Sequence, residues 1–240
     1  MTQDNLKKIR INKYLALKNI ATRKKADELI LNKQVFINGK LAILGDKIDE
    51  NDKVEIKGNQ DFKNYLYYAY NKPINVISHS PQEKEVSIKE KILENKNIPK
   101  NLFPIGRLDK NSHGLILLTN DGRITDKLLN PKYPHEKEYV VITHKKLRSN
   151  FKQKMEAGVN IEGYKTKPCK VQIINENTFK VILTEGKKHQ IRRMCSSLFQ
   201  EVKDLKRTRI LNIKLANLKK NALREIKGEE LKIFLEQVLH

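Results

Sequence analysis

Apolar positions along the chain change their period several times, and each change marks an element. Near the start, Ile11, Leu15 and Ala16 share one face of a short helix. Thr22 is placed to cap a second helix whose Ala26, Leu29 and Ile30 face inward. The period then becomes strand-like at Val35-Phe36-Ile37, followed by the tight-turn pair Asn38-Gly39, and Val54-Glu55-Ile56 closes the segment as another strand. Residues 57–63, KGNQDFK, have no periodicity, so a small α/β module over 1–57 and a linker at 58–63 are expected ahead of a larger domain over 64–240.

In that larger domain Tyr65–Tyr70 is an aromatic strand running into Asn71-Lys72-Pro73, and a Lys/Glu-rich helix fits 84–95. Leu115–Leu118 is a fully apolar strand ended by Asn120-Asp121-Gly122. Further strands are expected at Glu138–Thr143, Lys167–Ile174, Thr178–Thr184 and Lys203–Leu211, with helices at 123–129, 147–157, 189–199 and 229–239. Many strands with interspersed helices and no βαβ alternation predict an α+β fold on a mixed, mainly antiparallel sheet.

Charge narrows the partner. Forty-nine Lys and Arg against 28 Asp and Glu in 240 residues give a net charge of +21. Residues 187–227 carry 13 basic and 3 acidic side chains, and residues 1–57 carry 13 and 8. A polyanion is therefore expected, nucleic acid before a membrane surface, because the basic stretches alternate with strand-like runs and form no basic amphipathic helix. No bilayer-length apolar run and no apolar leader are present. Cys169 and Cys195 lie in no metal-binding spacing and read as buried thiols of a reducing cytoplasm. The six dispersed His and the lack of phosphate-loop, dinucleotide and zinc-protease motifs leave no support for a metal, and none for ATP or nicotinamide chemistry.

Two segments carry candidate chemistry. In Phe103–Gly122, Asp109 stands between a turn (Pro104, Gly106) and the apolar strand, with Arg107 two residues before it; a loop braced by a buried strand suits a catalytic carboxylate, and a surface Asp paired with Arg107 is the plain alternative. In Thr184–Met194, Lys and Arg with an amide side chain open a helix, as at phosphate sites.

Residues 10–56, with R-I-N-K-Y-L, T-R-K-K-A-D and V-F-I-N-G-K, resemble an S4 RNA-binding domain. The segments G-R-L-D-K-N-S-H-G-L-I-L-L-T-N-D-G and E-G-K-K-H-Q-I-R-R-M, together with N-K-P at 71–73, H-E-K-E-Y at 135–139 and V-K-D-L-K-R-T-R-I at 202–210, resemble the S4-domain pseudouridine synthases that modify ribosomal RNA. Within that family the pattern is most similar to the member acting on 23S rRNA near the peptidyl-transferase centre. The resemblance implies a cofactor-free, monomeric isomerase with Asp109 as catalytic carboxylate, Tyr139 packed on the flipped base and Arg192 paired with Asp109. It further implies RNA contacts from Arg10, Lys13, Arg23, Lys24 and Lys25 in the first module. In the second, Lys188, Arg193, Arg207 and Arg209 are expected to contribute, and Lys72, Arg107 and Gln190 to support phosphate or loop positioning. A 16S rRNA or tRNA substrate, or a non-catalytic ribosome-assembly factor, are the alternatives. The chain departs from the family pattern at Lys188-His189, at His113, and at Asn221-Ala222-Leu223-Arg224, where the family has G-x-W-R.

Overall fold

The computed structural model describes residues 8–18, 20–49, 51–57, 65–78, 85–94 and 98–239; the expected linker at 58–63 lies outside them. The chain divides into two compact units, one running to Tyr65 and including Asp121–Thr125, the other comprising Leu66–Asn120 and Asp126 onward.

The first unit contains β1 (Ile9–Arg10), α1 (Ile11–Leu17), α2 (Arg23–Leu31), β2 (Val35–Ile37), β3 (Lys40–Leu41), β4 (Lys47–Ile48) and β5 (Val54–Ile56). Thr22 caps α2 as expected, its hydroxyl accepting from the Lys25 amide at 3.1 Å, a contact worth about 1 kcal/mol. Ile11 and Leu15 of α1 meet Ala26 and Ile30 of α2 in a core completed by Val35 and Ile48. Asn38 and Gly39, at φ 50° and 79°, turn β2 back into β3, while β5 pairs on the other side of β2. Both central turn positions thus have positive φ, the geometry that Asn-Gly favours.

The second unit holds β6 (Tyr67–Lys72), α3 (Ile88–Leu93), β7 (Phe103–Ile105), β8 (His113–Thr119), α4 (Arg123–Leu129, which starts at the boundary), β9 (Lys137–Thr143), α5 (Phe151–Glu156), β10 (Asn160–Ile161), β11 (Tyr164–Lys165), β12 (Lys170–Asn175), β13 (Thr178–Leu183), α6 (Gln190–Ser197), β14 (Val202–Ile210), β15 (Ile213–Lys214), β16 (Leu223–Glu225) and α7 (Gly228–Leu239). Its main sheet runs β12-β13-β9-β14-β8-β6-β16, with β15 on β14 and β7 on β8. Every pairing in it is antiparallel except β14 with β8. This is the mixed, mainly antiparallel α+β sheet the pattern predicts. Two cores pack against it, one around Phe151, Phe179 and Met194, the other around Tyr70, Ile88 and Ile116.

Boundaries shift where polar groups draw the backbone out of the expected element. The first strand starts at Tyr67 because the Leu66 amide donates to Asn120 Oδ1 at 2.8 Å, and it continues to Lys72 before Pro73 ends it. The helix expected at 84–95 is six residues long, set by a Ser87/Glu90 capping box; residues 84 and 95 are not described. α5 begins only at Phe151, since the Leu147 amide donates to the Glu176 carbonyl instead. β12 begins at Lys170 because the Lys167 amide is held by Glu185 and the Cys169 amide by the Glu156 carbonyl. Cys195 is fully buried as expected, but Cys169 is only half-buried, its Sγ donating to the Met155 carbonyl. Burial pushes these thiols up to about 12 and about 11.

The departures near the C-terminus have structural explanations. Asn221 adopts φ 63°, the left-handed backbone that the family glycine would provide, and its Oδ1 accepts from the Tyr70 hydroxyl at 2.6 Å. Leu223 packs into the Tyr70 core, and Arg224 makes a bidentate pair with Glu230 of α7.

Candidate active site

The segment joining β7 to β8, residues 106–112, carries Asp109 and is fixed through its main chain. Ser78, buried in the preceding segment, grips Leu108 from both sides: its hydroxyl accepts from the Leu108 amide at 3.1 Å and donates to the Leu108 carbonyl at 3.0 Å. The Asp109 carbonyl accepts from the Ser112 amide and the Lys110 carbonyl from the Asn75 amide. The Asn111 carbonyl accepts from Arg192 Nη2 at 2.8 Å. Four successive carbonyls are thereby held, and the Asp109 carboxylate remains one-third exposed. The His189 imidazole faces it, with Nε2 3.5 Å from Oδ1.

This differs from the expected Arg192–Asp109 pair. Arg192 spends its guanidinium on main chain, Nη1 to the Val202 carbonyl at 3.1 Å and Nη2 to Asn111. It therefore positions the loop that carries the carboxylate, and His189 meets the carboxylate itself. Arg107, the other expected partner, is exposed. His113 begins β8, with Nε2 3.0 Å from both Asp204 carboxylate oxygens, a tie between β8 and β14 outside the Asp109 contacts.

Behind the loop, sheet register assembles a row of side chains. Lys72 lies opposite Gly114, Gly114 beside Arg207, and Arg207 opposite Tyr139. Residues in one cross-strand row share a face of the sheet. Gly114, at φ 101°, is required there, because a Cβ would collide with the Arg207 carbonyl. Lys72 is fully buried, Nζ donating to the Pro73 and Val76 carbonyls at 2.9 and 2.8 Å. Burial lowers it to about 8, with Arg207 pushing the same way and the Asp109 charge pulling it back up. Lys137, two residues before Tyr139 and hence on its face of β9, is likewise brought down to about 8 by burial and by Arg207. Asp109 is thus the carboxylate whose charge reaches the buried Lys72 amine.

Three residues expected at the RNA or at the loop are buried in this arrangement. Lys72 is sealed under the loop. Gln190 is buried and organises the start of α6, with Oε1 accepting from the Lys187 amide and Nε2 donating to Glu185. Arg207 is buried, donating from Nε to the Leu115 carbonyl at 2.6 Å. Arg193 is tied to Glu162 at 2.5 Å and Arg209 to Glu136 at 3.0 Å, so neither presents an unpaired charge. Lys188 is exposed. Tyr139 is half-buried on β9 between the two cores. In the first unit Arg10, Lys13, Arg23 and Lys24 are exposed, whereas Lys25 pairs with Glu28 at 2.9 Å. Ser78 and Lys137 are the site residues that sequence reasoning missed. Lys137 stood in the recognised H-E-K-E-Y segment; Ser78 had no signal, since its role depends on a contact 30 residues away.

Among the described residues, no group of three or more His, Cys, Asp or Glu is arranged to hold a metal, and no helix is long and apolar enough to cross a membrane. Residues 66–197 match the RNA pseudouridylate synthase family, and residues 9–54 match the S4 domain. The chain is 39% identical over 227 residues to the dual-specificity RNA pseudouridine synthase RluF of Escherichia coli (strain K12), covering 93% of this chain and 77% of that one. It is 34% identical over 231 residues to the ribosomal large subunit pseudouridine synthase B of Bacillus subtilis (strain 168), covering 93% and 94%. A crystal structure of a pseudouridylate synthase superposes with a TM-score of 0.69 at 26% identity, over 93% of this chain and 98% of that one.

Proposed function

This chain belongs to the RNA pseudouridylate synthase family, and from that premise we propose that it isomerises a uridine of 23S ribosomal RNA near the peptidyl-transferase centre, with Asp109 as the catalytic carboxylate. The observation that carries the assignment of Asp109 is the loop around it. Its carbonyls from 108 to 111 are all engaged, and its one carboxylate stays partly exposed beside the His189 imidazole. Such preorganisation places a reacting group without leaving its positioning to the substrate.

The chemistry needs little else. The N1–C1′ bond breaks, the base turns, and a C5–C1′ bond forms; C5 loses its hydrogen and N1 gains one, so the product is an isomer. No oxidant, no group donor and no cofactor enter the balance. An ionised carboxylate beside the ribose serves either as nucleophile at C1′ or as base at C2′. The target base must leave its stack at a cost of a few kcal/mol, which packing on Tyr139 offsets in part. Arg10, Lys13, Arg23 and Lys24 on the first unit, with Arg107 and Lys188 on the second, are free to grip phosphates.

The large-subunit substrate is supported by the name of the Bacillus subtilis relative. We place the reaction in the cytoplasm, where Cys169 and Cys195 remain the free thiols they are here, and assign it to a monomer. The test is tritium release from rRNA transcripts labelled at uridine C5, with no cofactor added. Wild-type protein releases tritium from the 23S transcript, and Asp109→Ala binds the same RNA but releases none. Release from 16S rRNA or tRNA alone moves the substrate; no release from any RNA despite binding leaves a ribosome-assembly factor.

A further inference from the structure

His189 stands at the N-cap of α6 with left-handed backbone, φ 53° and ψ 28°. A non-glycine residue there carries strain of about 1–2 kcal/mol. Local capping does not explain it, because the His189 side chain makes no cap hydrogen bond and Gln190 supplies the polar contacts at this helix start. The backbone instead turns the imidazole toward the loop between β7 and β8, where Nε2 lies 3.5 Å from Asp109 Oδ1. Arg192, one turn of α6 away, is committed to the Asn111 and Val202 carbonyls. Both members of the His189–Asp109 contact are open to solvent, at 49% and 34% exposure, so a bound nucleotide can close over it.

We propose that His189 is the positioning residue of the Asp109 carboxylate, selecting its orientation through Nε2 while Arg192 fixes the main chain beneath it. This rests on the assignment of Asp109 as the catalytic group. At 3.5 Å the contact is long, as contacts of this kind commonly are before substrate tightens them. Its own segment carries Lys187, Lys188, Arg192 and Arg193, and Lys72 feels Asp109 from β6.

Two substitutions separate positioning from a merely structural role because they act in opposite directions on the two. Asparagine is a favoured N-cap residue and tolerates left-handed backbone, but its short amide does not reach where Nε2 stands. Glutamine places an amide nitrogen near the Nε2 position and is a poor N-cap. In single-turnover and steady-state tritium release on the rRNA transcript, His189→Asn is expected to melt at or above the wild-type temperature, keep KM within about twofold and lose roughly 10- to 100-fold in kcat. His189→Gln is expected to melt lower yet keep kcat within several-fold of wild type. Asp109→Ala, run in parallel, is inactive. Wild-type kcat in His189→Asn, a loss confined to KM, or a glutamine variant no better than asparagine overturns the proposal while the assignment of Asp109 stands. Activity surviving in Asp109→Ala overturns that assignment, and the proposal with it.

Discussion

The Asp109 loop and the basic face of the first unit are both built from short polar segments, yet they are held in opposite ways. The loop has its backbone gripped at Leu108, Asp109, Lys110 and Asn111 by Ser78, Ser112, Asn75 and Arg192 respectively. Arg10 projects from β1, Lys13 from α1 and Arg23 and Lys24 from α2, exposed side chains placed only by the backbone that carries them. The contrast follows from what each must do. Bond exchange at C1′ is sensitive to misplacement of about 1 Å, whereas attraction to phosphates falls off slowly and tolerates side chains that move. Rigid geometry is concentrated where chemistry is expected, and loose charge where the backbone of an RNA is to be gathered.

The sharpest way to break that contrast is to loosen the loop without touching its carboxylate. Arg192→Ala frees the Asn111 and Val202 carbonyls at once and is expected to lower kcat by roughly 100-fold while RNA affinity changes only a few-fold. Arg192→Lys, which lacks the fork needed to reach both carbonyls, falls in between. A filter-binding titration beside single-turnover tritium release reads the two effects; equal losses in affinity and rate would place Arg192 on the RNA.

Ser78→Ala is the next step down. It strands a buried Leu108 amide and carbonyl that share one hydroxyl, so unfolding in urea should show a loss of about 1–3 kcal/mol. The released loop should cost about tenfold in kcat. Ser78→Thr, which keeps the hydroxyl, should recover most of the rate if the pocket admits a methyl group.

The Lys72 anchor beneath the loop gives a smaller effect with a distinct pH signature. In the folded protein Lys72 is lowered to about 8 from 10.5, chiefly by burial. Between those values the unfolded chain holds a proton that the folded chain has lost, so the contribution of this position to stability rises with pH. Lys72→Met contributes no such slope. The stability of wild type relative to the variant should therefore grow by about 1.5 kcal/mol between pH 8 and pH 9.5. Comparing the two proteins cancels the opposite trend of the buried thiols; a constant difference across that range would mean Lys72 keeps its proton throughout.

These residues also show what was legible in the sequence. Thr22 with Ala26 and Ile30, Asn38-Gly39 and the apolar run Leu115–Leu118 were readable because cap, turn and strand signals act between near neighbours. The place of Asp109 between a turn and that strand marked it as a candidate, while its catalytic role was implied only by the family resemblance. For Lys72 and Gln190 the sequence left phosphate and loop positioning both open, and for Arg207 it pointed to RNA, because charge and polarity in a sequence say nothing of burial. All three are buried in the structure and hold main-chain or side-chain partners within the fold. The His189–Asp109 contact joins positions 80 residues apart and depends on a left-handed backbone that no periodicity reveals. Short edge pieces such as β7, which contains Pro104, escaped for a related reason: Pro104 reads as a turn until β8 supplies its single partner.

The smallest effects belong to the loosely held face. Replacing Lys13, Arg23 or Lys24 singly with Gln removes one mobile charge and disturbs no fixed partner, so each should weaken RNA binding only a few-fold and leave kcat at saturating RNA unchanged. Lys25 is already engaged with Glu28, so Lys25→Gln should weaken binding less than its neighbour Lys24→Gln. Binding measured across a series of salt concentrations makes the comparison quantitative: every charge that neutralises a phosphate should reduce the slope of log affinity against log salt by about 1 when removed, alike for matched and unrelated RNAs. A single substitution on this face that abolished activity at saturating RNA would show that α1 or α2 places the target uridine, and the division between a rigid chemical site and a diffuse gripping surface would fail.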